Sequence, residues 1–244
     1  MTTQHFESLT FTDDRIRQIA EDMVLNRPDE VGFLEHMLSK DKSLTTAVPA
    51  LLAAFDALSA CFQTDNTLFL CGNGGSCADC MHIAGELVKS FLLRRSLSAA
   101  HKARFKDVDF GRELAERLEE GVRCQVLGFN HSLNSAILND SKHYKLQYAQ
   151  ELYVFGKPGD ILLAISTSGN ALNVLYAIST ARALGMQTIG MTGNTGGQLA
   201  QNADIVIHAS SAMTYYIQEQ HSLLYHALCA MLEARVFGEH PTTL

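Results

Sequence analysis

Five short runs of the chain are apolar at consecutive rather than alternate positions: Thr67–Cys71, Cys124–Gly128, Asp160–Ile165, Thr188–Met191 and Asp204–His208. A strand apolar on both faces is one covered on both faces, the condition of a parallel sheet between helices. The segments between them switch to helical spacing over Cys77–Phe91, Ser141–Phe155, Ala171–Leu184 and a long stretch near Tyr215–Val236. Gly185 stands where the third of these helices must stop. Strand–helix alternation with short connections predicts a doubly wound α/β/α sandwich around a five-stranded parallel sheet. Ahead of the first strand, residues 1–63 read as an N-terminal helical arm to a domain at 64–238. Within Ala47–Phe62, Leu51, Leu52, Phe55, Leu58 and Phe62 recur at helical spacing, and Pro28 and Pro49 divide the arm into at least two pieces.

One segment, 94–122, reads as an insertion. Counted through Arg123 it holds 8 Lys+Arg and 6 Asp+Glu, so it is locally +2 while the rest of the chain is −9. Leu114, Leu118 and Val122 recur every four residues, which predicts one amphipathic helix there. Two roles are open for it: a lid whose Arg94, Arg95, Lys102, Arg104 or Lys106 reaches a phosphate, or a solvated helical excursion.

Ligands of parallel α/β sheets bind beyond the carboxyl ends of strands, where loops enter helix N-termini. Two such junctions stand out, Cys71-Gly-Asn-Gly-Gly-Ser-Cys77 after the first strand and Ile165-Ser-Thr-Ser-Gly-Asn170 after the third. Glycines admit an anion close to the backbone, and hydroxyls and free amides donate to it. Either loop alone is a common tight turn; at equivalent strand ends the pair favours a phosphate ester. Neither carries the Walker A lysine or the G-x-G-x-x-G order, so no nucleotide cofactor is expected. On the helix after the first loop, His82 and Glu86 share a face, about 6 Å apart along the axis. The last helix brings Gln218 and His226. Two His, one Glu and one Gln make a mixed N/O donor set suited to a divalent metal such as zinc, and Glu with His suits proton abstraction and return.

These residues resemble the sugar isomerase (SIS) domain proteins, and within them the phosphoheptose isomerases. The matching segments are CGNGGSCADCMHIAGEL (71–87), LND (138–140), GDILLAISTSGNALNVL (159–175), TGNTGGQLA (192–200) and IQEQHSLLYH (217–226). The resemblance implies isomerisation of D-sedoheptulose 7-phosphate to D-glycero-D-manno-heptose 7-phosphate through an enediol. It implies sugar-phosphate contacts from Asn73, Gly74, Gly75, Ser76, Glu86, Asn139, Asp140, Ser166, Thr167, Ser168 and Gln218. It implies zinc at His82, Glu86, Gln218 and His226, Glu86 and His226 as the acid–base pair, and a homotetramer with active sites at subunit interfaces. Glu86 is the better carbon base, since burial makes a carboxylate more basic. Gln218 and His226 would lie about 12 Å apart and about 80° around one ideal helix, too far for one metal. Either Gln218 precedes the regular helix or is offset by a bend, or the two residues come from different subunits; the last is the favoured reading.

Three positions depart from the resemblance. Ala171 stands where these isomerases often have a phosphate-binding Ser, Thr214-Tyr215-Tyr216 where they commonly have Asp and Arg, and the insertion is longer than usual. An isomerase of another ketose phosphate is an alternative within the same class, and two other classes compete. A non-catalytic SIS module that binds a partner protein, as in a replication-initiation factor, lacks Glu and His at the positions of Glu86 and His226. A phosphosugar-sensing regulator brings a DNA-binding helix-turn-helix, for which residues 1–63 are a poor match.

Composition narrows the setting. The 244 residues are 47% hydrophobic and 18% charged with net charge −7, which argues against nucleic-acid and acidic-membrane partners. Met1 to Asp14 is polar, unlike a signal peptide, and a cytoplasmic protein is expected. The cysteines (61, 71, 77, 80, 124 and 229) are sparse, and Cys77-x-x-Cys80 without a second pair reads as structural packing rather than a zinc or redox site.

Overall fold

The computed structural model describes Phe6, residues 9–140 and residues 144–238. Three helices come first: α1 (Asp14–Asn26), α2 (Pro28–Lys40) and, after a 3-10 turn at Lys42–Ala47, α3 (Val48–Gln63). Then follow β1 (Leu68–Gly72), α4 (Gly75–Val88), α5 (Ala99–Ala103), α6 (Gly111–Arg117), β2 (Cys124–Val126), α7 (His131–Asp140) and α8 (Gln147–Phe155). The remainder is β3 (Ile161–Ser166), α9 (Leu172–Ala183), β4 (Gln187–Thr192), α10 (Leu199–Asn202), β5 (Ile205–His208) and α11 (Thr214–Phe237). All five strands are parallel, in the order β2-β1-β3-β4-β5. This is the doubly wound sandwich the sequence predicts.

The double apolarity of the strands has its reason in two cores, one on each face of the sheet. Leu68 and Leu70 of β1 and Ile161, Leu163 and Ile165 of β3 face a core shared with α1–α4 and α11. Phe69, Cys71, Leu162 and Ala164, the alternate positions, face α8, α9 and α10. A pleated strand sends successive side chains to opposite faces, so a central strand needs an apolar residue at every step. Residues read as an arm are docked into this first core: Val31, Leu34, Leu51, Leu52, Phe55 and Leu58 are buried there with Leu224 and Leu228 of α11. The run Lys42–Gln63 is long and apolar enough to cross a membrane by length and composition alone. Its apolar side chains are what that core is made of.

Pro28 and Pro49 sit in the first turns of α2 and α3, where a missing N–H costs nothing. Gly185 follows α9 at φ +72° and stops it as expected. The single helix expected through Leu114, Leu118 and Val122 is not formed. The insertion holds two short helices, α5 and α6, and the chain leaves α6 at Leu118 in an extended conformation. Tertiary pairing outweighs the four-residue spacing: Ser96 bridges Glu119, Val122 N–H donates to Leu87 C=O, and Gly121 lies so close to the Val88 carbonyl that a Cβ would collide. The sequence reading also omits α7, and the helix expected from Ser141 starts at Gln147 (residues 141–143 lie outside the described ones). All six cysteines are free thiols, and burial pushes those of Cys71, Cys80 and Cys229 up, so they are packing residues.

His221 on α11 is fully buried, with Nε2 3.2 Å from the Thr192 carbonyl. Burial lowers its pKa from 6.5 to about 4. Between these values the unfolded chain binds a proton that the folded chain refuses, so stability is lost as pH falls through this window. The loss approaches about 3 kcal/mol at the lower end. Melting temperatures measured between pH 7 and 4.5 should fall, and should fall less steeply in His221→Gln; parallel curves for the two proteins would remove this assignment.

Candidate active site

The β1 and β3 ends are neighbours in the sheet, which brings the two predicted loops together. After β1, the chain turns through Asn73 and Gly74 (φ +55°) into α4, two residues earlier than the periodicity indicates. Asn73 and Asn173 exchange a reciprocal amide pair at 2.9 and 2.8 Å, and the buried Tyr148 hydroxyl donates to the Gly72 carbonyl and lies 3.2 Å from Asn73 Oδ1. The first loop is thereby bolted to α9, the helix that follows the second loop. Neither Asn173 nor Tyr148 is singled out by the sequence: one lies just past its loop, and the other arrives from a separate helix. In the second loop Ser166 is buried, Thr167 half-buried and Ser168 exposed. Ala171 begins α9 with no side-chain cap. Asn170 accepts from Gln198 N–H, and Gly169 (φ +66°) passes against Gly196 with no room for a Cβ.

Two turns further along α4, His82 and Glu86 meet His226 from α11. Glu86 Oε1 lies 3.1 Å from His82 Nε2 and 3.3 Å from His226 Nε2. Glu86 is 8% exposed, whereas its partners are open on one side, with side chains 51% (His82) and 40% (His226) exposed. The centre is a buried carboxylate roofed by two accessible imidazoles. Tyr225 places its hydroxyl 3.0 Å from His82 Nδ1, which turns Nε2 toward Glu86. Phe91 stacks on His226 with ring centroids 6.3 Å apart and 23° between planes. Asp79, one turn before His82, has its carboxyl pKa raised by burial, partly offset by His82 and Tyr225.

The remaining predicted residues are placed differently. Gln218 lies within the same helix as His226, so the option that it precedes the helix does not hold. Its amide packs on Gly75 at the start of α4, where a Cβ would collide with it. Gly75 and Ser76 form the first turn of α4, with Ser76 buried. Asn139 and Asp140 end α7, exposed and hydrogen-bonded to each other at 2.7 Å. Of the cationic residues considered for a lid, Arg95 is turned inward and 3% exposed, which removes it from that role. Tyr215 and Tyr216 pair their exposed rings at 4.3 Å between centroids.

A metal fits the cluster. One ligand atom each from His82, Glu86 and His226 lies within 4.8 Å of the others, and Glu86 Oε2 is buried with no hydrogen-bond partner. A carboxylate and two imidazole nitrogens at this spacing form a mixed N/O donor set of the kind that suits a divalent metal.

A parallel sheet with glycine- and hydroxyl-bearing loops at adjacent strand ends, beside a Glu/His cluster, defines the class of SIS domain proteins, and residues 149–234 match the SIS domain family. Over 178 residues the chain is 38% identical to the phosphoheptose isomerase of Crocosphaera subtropica, covering 73% of this chain and 78% of that one. It is 36% identical over 218 residues to the phosphoheptose isomerase of Mycobacterium tuberculosis, covering 88% and 98%. The solved phosphoheptose isomerase GmhA from Neisseria gonorrhoeae superposes with a TM-score of 0.64 at 27% identity, over 83% of this chain and 95% of that one. The chain belongs to the phosphoheptose isomerase family.

Proposed function

We propose that this chain interconverts D-sedoheptulose 7-phosphate and D-glycero-D-manno-heptose 7-phosphate in the cytoplasm. Its SIS domain spans 64–238 and carries the insertion 94–122. The observation that carries the reading is the cluster of Glu86 between His82 and His226, two to three turns along α4 from the first glycine loop. An aldose–ketose isomerisation moves a proton between C1 and C2 through an enediol, which needs a base at carbon and an acid at oxygen. Glu86 takes the carbon proton and returns it to the neighbouring carbon. His226 moves the proton between the two oxygens, and Phe91 stacked on its ring holds its orientation. Asn73, Gly74, Gly75 and Ser76 with Ser166, Thr167 and Ser168 hold the phosphate, and Asn139 and Asp140 reach the sugar hydroxyls.

His82, Glu86 and His226 would hold zinc, which would supply Lewis-acid polarisation of the substrate oxygens. With zinc bound, Glu86 and His226 could not be metal ligands and free bases at once, and one of them would have to loosen. Gln218, offset along α11 from this cluster, serves as a ligand from a second subunit of a homotetramer; the openness of His82 and His226 in the single chain supports a site completed by a neighbour. The test is a panel of C5, C6 and C7 ketose phosphates with aldose detection, run with and without chelator on fractions of known mass. Turnover of the C7 ester, reduced by chelator and confined to the oligomer, is expected. No turnover on any ester overturns the reading, and a fully active monomer overturns the shared site.

A further inference from the structure

We infer that Arg95 and Glu233 are a positioning pair for the catalytic centre, an inference that rests on the isomerase reading above. Both are almost completely buried, at 3% and 2% exposed. Glu233 stands two turns beyond His226 on α11 and so shares its side of the helix. Its carboxylate gathers the chain leaving α4: it accepts from the N–H groups of Phe91 (2.9 Å), Leu92 (2.6 Å) and Leu93 (3.0 Å) and from Arg95 Nε (2.7 Å). The Arg95 fork then turns back on α4, with Nη1 donating to the Leu87 carbonyl (2.8 Å) and Nη2 to that of Glu86 itself (2.6 Å). These carbonyls lie in the last turn of α4, where no intrahelical donor follows. A cation at a helix C-terminus also complements its dipole.

The two ends of this arrangement touch both members of the acid–base pair. Arg95 holds the backbone of the base, Glu86. The segment clamped by Glu233 carries Phe91, whose ring stacks on the acid, His226. The pair thus fixes α4 against α11 at the level where their side chains meet, and it anchors the first residues of the insertion beneath the site instead of over it. Guanidinium geometry is essential, because three acceptors on two elements are reached at once from one planar fork.

Arg95→Lys keeps the charge and loses the fork. The expected result is a kcat lowered about ten-fold or more with KM within two-fold, and zinc affinity, measured by competition with a chromophoric chelator, weakened about ten-fold. Arg235→Lys is the matched control: it disrupts another ion pair from α11, to Glu30 at 2.8 and 2.6 Å, on the side facing α2. There kcat and zinc affinity should stay within two-fold. The inference is overturned by Arg95→Lys with kcat and zinc affinity both within two-fold of wild type, or by equal losses in Arg235→Lys. Should Arg95→Lys not be recovered folded, Phe91→Leu tests the same contact from the loop, with a several-fold fall in kcat at constant KM expected and an unchanged kcat overturning it. Wild-type protein without turnover is failure of the isomerase reading, whereas the zinc competition still reads the pair.

Discussion

Glu86→Gln should lose turnover by on the order of a thousand-fold, within the range assigned to a positioned general base, while the protein still folds and still binds phosphosugar. Glutamine fills the volume of glutamate, so the packing of α4 against α11 and β1 is preserved. What disappears is the proton acceptor, since an amide oxygen cannot take and return a carbon proton. The glycine loop is untouched, lying about three turns away at the start of the same helix, and the second loop leads into a different helix, α9. Turnover measured on the C7 ketose phosphate, beside a binding isotherm and a melting curve, separates these effects. Near wild-type turnover in the variant would refute the base assignment. Loss of folding instead of turnover would show that the buried carboxylate, 3.1 and 3.3 Å from its two imidazoles, is needed mainly to hold them.

His226→Asn should cut kcat by about a hundred-fold or more, the lower range for one proton-transfer group, with a smaller change in KM. Asparagine ends where the ring's Nδ1 was, short of the Nε2 that lies 3.3 Å from Glu86, and it has no group that takes and returns a proton. It also removes the ring on which Phe91 stacks. A pre-steady-state or solvent-exchange measurement of the carbon proton gives the sharper test. If Glu86 is the carbon base, exchange of that proton persists in the variant while net isomerisation stalls, because the oxygen protons no longer move. A raised KM with intact kcat would make His226 a binding residue.

How far the sequence carries can be judged from particular residues. Both loops are legible because glycine and hydroxyl residues directly after an apolar run mark a strand-to-helix turn, and the loops follow β1 and β3 as expected. His82 and Glu86 are legible because four-residue spacing on a helix is a local geometric fact. That His226 joins them depends on how α11 crosses α4, which no local spacing encodes. The same holds for Tyr225 and Phe91: each is an ordinary aromatic residue in sequence, and each becomes part of the site only through an imidazole from another element. The insertion shows the limit from the other direction. A four-residue repeat of apolar side chains there predicts a helix, yet the segment after Leu118 spends its backbone groups on α4 and the strand-like bridge to Ser96.

The amino-acid pattern alone determined the sheet, its parallel pairing and the two loops at its carboxyl edge, because consecutive apolar residues and glycine turns act over a few positions and leave little choice. Only the tertiary structure decided which imidazole meets Glu86, how Asn173 and Tyr148 lock the first loop, and that Arg95 belongs under the site rather than over it. Those outcomes depend on contacts between elements as many as 140 residues apart, such as Glu86 with His226. They are set by how the helices on the two faces of the sheet, α4 with α11 on one and α8 with α9 on the other, pack against it, and that geometry is a property of the assembled core.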